Sequence, residues 1–487
     1  MVSRFVREQK RYTQKNLRDI FDCTSEKAVV IIKKLKEYGV LKAVRATDEQ
    51  KDMSDLINED IEIADVEIGE NEYLYVFTFV GVITVAGCIL KCYPKYISND
   101  APKTELKQII KVLERYNSKE QIIYMYNDSE ASNSFNLLAV MIYLLNDYFE
   151  NGVYTNTQDI IEKNGTGEIL WDKTISETFT ILSNNRPYYT ELLTKKRVMD
   201  DFDYFKRLHE CILSFFTKEL KKADILDLFD IMPVEISDEE LDDFGDIEYI
   251  RYRIENELNV QFNTRKQLVL KAIYAYITHC SNLSLIDSFS MFGTNSFNLV
   301  WEKVCAEVMD NQLYNTLGSL KLSVTLNGIY KATDTLISLI EKPKWVGIKI
   351  DGGSFTKTAN NTLTPDLISI HTRDGICEFV IFDAKYYVIQ LDHHKELKGQ
   401  PGIGDIIKQY LYQLAYKEFI DLHHISEPKN CFLMPTEKPD IIEKGYTNMQ
   451  ILDDLGLQHI QIRQLPANEM YEYYLNGDKM DISRLNL

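Results

Sequence analysis

Two aspartates lie at the outer ends of two apolar segments that a short turn separates. The first segment follows Asp366, and the second ends at Asp383. Asp374-Gly375, between the segments, is a favoured pair for a two-residue hairpin loop, so the segments are predicted to pair as antiparallel strands. Counting outwards from this loop places Asp366 directly opposite Asp383. A bulge near Pro365 would shift this pairing by one residue.

Opposed carboxylates of this kind require a nearby cation. They destabilise a strand pair by up to about 1 kcal/mol, so a positive charge is expected to hold them together. Lys385 lies two residues beyond Asp383 and therefore on the same face of its strand. Asp366 and Asp383 as oxygen ligands suit Mg²⁺, which polarises a phosphodiester and lowers the pKa of bound water. The pattern predicts metal-assisted phosphodiester hydrolysis in which Lys385 orients the water and offsets negative charge.

A helix predicted over residues 404–419 has two distinct faces. One face carries amides and phenols that can bond phosphate oxygens or support a metal site, namely Gln409, Tyr412, Gln413 and Tyr416. The opposite face carries Ile407, Tyr410, Leu411 and Leu414. We expect Gln409, Tyr412 and Gln413 to support the carboxylate site. The alternative is an exposed polar face on a packed helix.

A second helix, predicted over residues 297–313, places a carboxylate inside an apolar side. Glu302 lies among Leu299, Ala306 and Met309. A half-buried carboxylate is costly unless it is paired, and a metal ion or its waters would pair it. Glu302 is therefore a supporting candidate. The alternatives are a glutamate at the rim of a core helix, or Glu307 in the same role.

The N-terminal segment is basic although the chain as a whole is acidic. Residues 1–46 carry 12 Lys/Arg against 5 Asp/Glu, while the full chain has a net charge of -19. Residues 13–43 are predicted to form helix, tight turn and helix, typical of a winged-helix unit. Lys27, Lys33 and Lys34 on the second helix are candidate DNA contacts. The alternative is a winged helix used for packing or protein contact.

The composition indicates a cytoplasmic protein. Its eight cysteines show no CxxC pair and no Cys/His spacing typical of zinc sites, so they are expected to be reduced core residues. The charged N-terminus lacks the apolar stretch of a signal peptide. Residues 73–90 form an uncharged apolar run, but their β-branched and aromatic content favours paired strands over a membrane helix. No membrane segment is predicted.

Four domains are expected in a chain of 487 residues. They are a winged-helix unit (1–50), a β-rich region for docking a partner (51–110), a mostly helical middle domain (111–285) and a nuclease domain (286–487). An acidic linker is predicted near 224–248, where no lysine or arginine occurs. The fold class is multidomain α+β or α/β, ending in a mixed sheet flanked by helices.

The candidate residues resemble the PD-(D/E)xK nuclease signature. Pro365-Asp366 is followed after sixteen residues by Asp383-Ala384-Lys385 at the end of an apolar strand. Further stretches, VGVITVAG, PKYI, NGTGEILWDKTI, KPKW (342–345) and KQYLYQLAY, resemble the LlaJI-type restriction endonuclease family and its relative McrC, the nuclease subunit of McrBC-type restriction systems. This resemblance extends over most of the chain.

The resemblance implies a bacterial endonuclease that defends the cell against phage and other foreign DNA. It implies cleavage of double-stranded DNA with Mg²⁺, or Mn²⁺, held by Asp366, Asp383 and the Ala384 carbonyl. It also implies a separate McrB-like AAA+ GTPase as partner. The chain has no GxxxxGK[ST] motif, so GTP is expected on the partner and no nucleotide on this chain.

Two other functional classes are compatible with these residues. The protein could be a non-catalytic module that binds DNA or a partner and stimulates the GTPase. It could also be a winged-helix transcription factor with a large ligand domain. Metal-dependent DNA cutting in the presence of the motor distinguishes the nuclease from both. The intact set of Asp366, Asp383 and Lys385 favours the nuclease.

Overall fold

The structure is a computed structural model that describes most of the chain in ten stretches. These are residues 2–45, 73–85, 88–116, 137–155, 157–199, 203–222, 225–280, 289–373, 376–426 and 428–487. The chain forms two compact units. The smaller contains Thr84–Gly87 and Ser129–Met291, and the larger contains Val2–Ile83, Cys88–Asp128 and Phe292–Leu487. Of the predicted docking region 51–110, residues 51–72 lie outside the described stretches.

The N-terminal part of the larger unit begins with a helical pair. Its elements are β1 (Val2–Arg7), β2 (Arg11–Tyr12), α1 (Gln14–Phe21), α2 (Ser25–Glu37), β3 (Leu41–Arg45), β4 (Tyr73–Phe77), β5 (Val80–Val85), β6 (Cys88–Tyr93) and α3 (Lys103–Tyr116). Thr24 is the N-cap of α2, and Gly39 beyond its end has φ +65°. The strands of the antiparallel sheet β2-β4-β3 flank this pair in the chain, with β2 before α1 and with β3 and β4 after α2.

The apolar run 73–90 forms strands. Its described residues lie in β4, β5 and β6, and β6 pairs in parallel with β1. These strands are almost completely buried, which explains their lack of charge. No helix in the part of the chain that the structure describes is long and apolar enough to cross a membrane.

The smaller unit combines helices with short strands. Its elements are α4 (Leu137–Asn151), β7 (Thr157–Lys163), β8 (Glu168–Ile169), α5 (Trp171–Glu177), β9 (Thr180–Ser183), β10 (Arg186–Tyr189), β11 (Leu193–Met199), α6 (Tyr204–Lys222), α7 (Ile247–Val260) and α8 (Thr264–Cys280). The sequence predicts a mostly helical middle domain, and the described residues of this unit form five helices together with five short strands. Asn184 and Asn185, with φ +52° and +59°, form the two-residue turn between β9 and β10.

The predicted acidic linker lies within the smaller unit. The Ser214 hydroxyl of α6 accepts hydrogen bonds from the backbone N–H groups of Ile236 (3.1 Å) and Ser237 (3.0 Å). The Thr217 hydroxyl accepts another from Val234 N–H (3.2 Å). Buried apolar residues recur among the acidic ones, including Phe229 and Val234. The stretch therefore packs along α6, where Glu239 forms an ion pair with Arg207.

The C-terminal part of the larger unit contains a mixed five-stranded sheet. Its elements are β12 (Phe289–Thr294), α9 (Phe297–Val308), β13 (Lys344–Ile348), β14 (Ser354–Thr358), β15 (Leu367–Arg373), β16 (Ile376–Ala384), α10 (Ile403–Leu422), β17 (Lys429–Thr436), β18 (Ile442–Thr447), α11 (Gln450–Asp453), β19 (Ile460–Pro466) and α12 (Ala467–Asn476). The sheet order is β15-β16-β17-β19-β18, with β16, β17 and β19 parallel. The edge strands β15 and β18 are antiparallel to their neighbours.

The N-terminal and C-terminal parts share one core. The Tyr386 hydroxyl donates to the Glu8 carboxylate (2.5 Å), and the hydroxyls of Tyr96 and Tyr471 are 2.8 Å apart. All four residues are buried. The first strands of the chain are therefore structurally continuous with the sheet that carries the candidate site.

Candidate active site

The pairing of β15 with β16 confirms the predicted register. Leu367 pairs with Phe382 and Arg373 with Ile376, without a bulge between them. The Asp374-Gly375 turn itself lies outside the described residues. One step beyond the first pair, Asp366 faces Asp383. The two carboxylates are thus placed together by the register of the hairpin, as the sequence indicated.

Asp366 is fixed by a hydrogen bond to the opposite strand. Its carboxylate accepts from the Ala384 backbone N–H (3.1 Å). In the same register Pro365 faces Ala384, and proline has no N–H to donate to the Ala384 carbonyl. At the end of the ladder, the Ala384 N–H therefore bonds the Asp366 carboxylate. The Ala384 carbonyl receives no hydrogen bond from the Pro365 nitrogen.

Asp383 and Lys385 form a buried ion pair. Asp383 is only 6% exposed, and its Oδ1 lies 3.1 Å from the Lys385 Nζ without the geometry of a hydrogen bond. Burial and the neighbouring Asp366 raise the pKa of Asp383 to about 8, although Lys385 opposes them. Burial alone would lower the pKa of Lys385, but the carboxylates of Asp383, Asp405 and Asp366 raise it. Lys385 is therefore cationic at neutral pH.

Asp405 is a site residue that the sequence analysis missed. Its Oδ1 lies 3.0 Å from the Lys385 Nζ and accepts a hydrogen bond from it. Asp405 is in the first turn of α10, four residues before Gln409. Since residues four apart share a helix face, the spacing that selected Gln409 would also have found Asp405.

The polar face of α10 points into the protein. Gln409, Tyr412, Gln413 and Tyr416 are buried, whereas Ile407, Leu411 and Leu414 are exposed. The alternative of a polar face exposed to solvent is therefore wrong. Tyr410, from the predicted opposite face, is buried as well. Tyr412 and Tyr416 pack in an apolar cluster that includes Phe379 and Ile381, so the buried side of α10 combines polar groups with an apolar contact.

The buried α10 residues reach different targets. The Tyr412 hydroxyl donates to the Thr364 carbonyl (2.9 Å), two residues before Asp366. Burial, and then the charges of Asp383 and Asp366, raise the pKa of Tyr412 to about 12. The Gln413 amide instead bonds both backbone groups of Gln458, each at 2.9 Å. The Gln409 amide is buried, and neither of its polar atoms has a hydrogen-bond partner among the described residues.

Glu302 lies within electrostatic reach of the ion pair. It is half-buried on α9, and burial raises the pKa of its carboxyl. Lys385 lowers this pKa and Asp383 raises it further, so both charges act on Glu302. Glu307, the alternative residue, pairs instead with Arg115 (3.3 Å) and Lys303 (3.1 Å). The structure therefore favours Glu302 over Glu307 as a neighbour of the site.

The donor set fits a hard divalent cation that the substrate helps to bind. The carboxylates of Asp366 and Asp383 are oxygen donors, and the buried Asp383 Oδ1 accepts no hydrogen bond. In the described stretches no three His, Cys, Asp or Glu side chains form a group that could hold a metal ion. Mg²⁺ typically takes one or two carboxylates and completes its shell from water and phosphate oxygens. Two carboxylates are therefore sufficient for Mg²⁺ or Mn²⁺.

The three lysines proposed as DNA contacts lie on α2, outside this site. Lys27 and Lys33 are exposed and Lys34 is half-exposed. The structure does not bring them together with the carboxylates, which lie on β16, α9, α10 and the start of β15. Any role for them would concern a separate surface.

Comparison with known proteins identifies the family. A relative in Bacillus subtilis (strain 168), the type II restriction enzyme BsuMI component YdjA, is 25% identical over 426 residues, which cover 82% of this chain and 81% of the relative. Two solved assemblies from Thermococcus gammatolerans are similar at 13% identity. One is a half-complex of McrB AAA+ hexamers with bound McrC (98% of this chain, 99% of that chain, TM-score 0.36), and the other is the McrBC complex (62% and 85%, TM-score 0.25).

The sequence model of one family covers most of the chain. It is that of the LlaJI restriction endonuclease, and it matches residues 79–322 and 325–465. The second match includes Asp366, Asp383, Lys385 and Asp405, the residues that the structure brings together. On the extent of this match, the chain is a member of the LlaJI restriction endonuclease family.

Proposed function

We propose that this protein is the nuclease subunit of a restriction system and hydrolyses phosphodiester bonds of double-stranded foreign DNA. The observation that carries the proposal is the partly buried ammonium of Lys385, which is held by Asp383 and Asp405, beside Asp366 on the opposite strand. The position of Asp366 just before β15 and of Asp383-Ala384-Lys385 at the end of β16, on a mixed sheet, supports the proposal that this is a PD-(D/E)xK site.

Asp366 and Asp383, with the Ala384 carbonyl, are the groups that would hold Mg²⁺ or Mn²⁺. When bound there, the ion would polarise the scissile phosphate and make a neighbouring water more acidic. Asp366 is already oriented by the Ala384 N–H, so little side-chain freedom is lost on binding. A small loss of side-chain entropy on metal binding is expected of a preorganised site.

Lys385 supplies positive charge and a hydrogen-bond donor at the reacting phosphate. Its ammonium can orient the attacking water and offset the negative charge that develops on the phosphate oxygens. Asp405 holds the ammonium from the helix side, while Asp383 holds it from the strand. Glu302, Gln409 and Tyr412 would support the site formed by Asp366, Asp383 and Lys385. Gln413 supports it indirectly by anchoring α10 to residue 458.

The proposed nuclease acts with a separate McrB-like AAA+ GTPase. The relative from B. subtilis is named as one component of an enzyme, which is consistent with a multi-subunit system. This chain has no P-loop motif, so GTP would bind to the partner. The N-terminal elements α1 and α2 with β2-β4-β3 are proposed to be a winged-helix unit. Lys27, Lys33 and Lys34 would contact DNA or the motor there.

Cleavage by a reconstituted complex tests this function. Asp383→Ala and Lys385→Ala are each expected to reduce metal-dependent cutting by about 100-fold or more, because each removes a charge from the reacting centre. Asp392 and Lys395 provide a matched control, since they form an exposed ion pair at 3.1 Å. Asp392→Ala and Lys395→Ala should cut normally. Normal cutting by both site variants would refute the nuclease and favour a binding module.

A further inference from the structure

A two-stranded ribbon of the larger unit leaves nearly all its side chains in solvent. It consists of β13 and β14, which pair antiparallel from Lys344–Thr358 to Ile348–Ser354. Trp345 is 71% exposed and Ile348 is 82% exposed. A lone two-stranded ribbon is only marginally stable in water, and exposed tryptophan is typical of binding surfaces. The ribbon therefore has the character of a surface that contacts another molecule.

The two faces of the ribbon differ in chemistry. Trp345 is paired with Lys357, and Gly347 with Phe355, so these side chains share one face. The Lys349 N–H donates to the Gly353 carbonyl (2.6 Å), so the ladder continues by one more pair. Lys349 is two residues beyond Gly347 and therefore lies on the same face. We call Trp345, Lys349, Phe355 and Lys357 the aromatic-basic face. The other face carries Lys344 and the exposed apolar side chains of Val346 and Ile348. Lys344 forms an ion pair with Glu341 (2.9 Å), and Lys342 lies just before β13.

Gly347 shapes the aromatic-basic face. A Cβ at this position would lie 2.4 Å from the Phe355 ring, so the ring rests on the bare backbone. The Lys357 Nζ lies 5.9 Å from the centre of that ring. Neither lysine of this face forms an ion pair with a described carboxylate, and Asp351 at the turn accepts from the Gly353 N–H (3.0 Å). Two lysines and two aromatic rings are thus presented together.

The charge of the ribbon is opposite to that of the chain. Residues 344–358 contain three lysines and one aspartate, a net charge of +2 in a protein of net charge -19. The ribbon is also joined directly to the candidate site. Only seven residues separate Thr358 from Asp366, and the connection from one to the other spans at most about 29 Å. That distance is less than one helical turn of B-DNA, about 34 Å.

We propose that the aromatic-basic face binds the double-stranded DNA substrate beside the cleavage site. A two-stranded β-ribbon fits the major groove, and lysines on its face can reach phosphates of the groove walls. Trp345 packs against the sugar-base edge. This inference rests on the proposed nuclease function. In it, the ribbon positions the DNA duplex relative to Asp366.

The salt dependence of DNA binding tests the proposal. Binding of the full-length chain to a duplex is measured by fluorescence anisotropy at several salt concentrations. Lys349→Ala with Lys357→Ala is expected to reduce the slope of log K against log salt by about 2, one for each lost phosphate contact. Lys342→Ala with Lys344→Ala also removes two lysines, from the start of β13 and outside the aromatic-basic face, and should leave the slope unchanged.

Trp345 provides a second readout. Trp345→Ala is expected to weaken binding about tenfold at fixed salt. In a Trp171→Phe background, Trp345 is the remaining exposed tryptophan of the described residues, because Trp301 is buried. Its fluorescence should be quenched by duplex DNA. Circular dichroism melts confirm that each exposed substitution leaves the fold intact.

Equal losses from the two double-lysine variants, or no loss from either, would overturn the proposal. It would also fall if Val346→Thr with Ile348→Thr abolished assembly with the motor while the aromatic-basic variants bound DNA normally. The proposed nuclease function is tested separately. Asp383→Ala should abolish cutting without changing the salt slope. If the wild-type protein never cuts DNA but the ribbon variants bind DNA more weakly than it does, the nuclease function is refuted. The DNA-binding role of the ribbon is then retained.

Discussion

Asp383 faces a conflict between burial and charge. It is almost inaccessible to water, lies opposite Asp366, and is compensated by a lysine that it shares with Asp405. Burial and like charge both favour the protonated form, which raises its pKa to about 8. An ordinary aspartate in the unfolded chain titrates near pH 3.9. Between about pH 4 and pH 8, the folded chain therefore binds one more proton at Asp383 than the unfolded chain does.

This difference predicts a pH-dependent stability of the metal-free protein. Because the folded chain binds more protons from about pH 4 to pH 8, the contribution of Asp383 to stability falls as pH rises. The slope is at most about 1.4 kcal/mol per pH unit. Asp383→Asn should remove this pH-dependent component. The free energy of unfolding of the variant should therefore rise relative to that of the wild type as pH increases. Denaturant unfolding in EDTA at pH 5, 6.5 and 8 measures the difference.

Added Mg²⁺ or Mn²⁺ should stabilise the wild type most at pH 8, where Asp383 is most easily deprotonated. The exposed Asp392→Asn is the control and should track the wild type with and without metal. A stability difference between wild type and Asp383→Asn that stays constant with pH would contradict the raised pKa. This measurement does not depend on cleavage activity.

The hairpin and the helix of the site differ in how far the sequence predicts them. The register of β15 with β16 follows from loop length, which is a local property, and it could therefore be predicted residue by residue. The helical period of α10 also predicts which residues share a face. The period does not say which face is buried, because that depends on the side chains that distant strands supply. Asp405 is different, since it lies four residues before Gln409 and the helical period places both on one face.

Tyr412 reports on the contact between α10 and the start of β15. Tyr412→Phe removes the donor to the Thr364 carbonyl and is expected to cost about 1–3 kcal/mol of unfolding free energy. The same change should reduce cutting, because Thr364 is two residues from Asp366. Tyr446→Phe is the control, since Tyr446 is exposed on β18. Equal stability of Tyr412→Phe and Tyr446→Phe would show that the hydrogen bond contributes nothing.

At the scale of the whole molecule, the long-range contacts are what the sequence could not predict. Glu8 and Tyr386 are 378 residues apart, and nothing in either local pattern links them. The sequence predicts separate N-terminal and nuclease domains, whereas the structure places both in one compact unit. Mostly buried strands from the N-terminal part therefore belong to the same core as the candidate site.

The Glu8–Tyr386 pair predicts energetic coupling across this core. Burial raises the pKa of Glu8, and the Tyr386 hydroxyl and the Lys95 backbone N–H (3.2 Å) are its described hydrogen-bond donors. Tyr386→Phe and Glu8→Gln should each destabilise the protein, and the double variant should lose less than the sum by about 0.5–3 kcal/mol. Additive losses would contradict coupling. Arg4→Ala, an exposed change on β1, should combine additively with Tyr386→Phe.

The position of Tyr386 has a mechanical consequence. It directly follows Lys385, and its hydroxyl is tied to the residue that follows β1. A motor that pulls or rotates the first strands would load this tie and thereby displace the ammonium between Asp383 and Asp405 by fractions of an ångström. The first strands and the lysine of the candidate site are thus joined through one hydrogen bond and one peptide link.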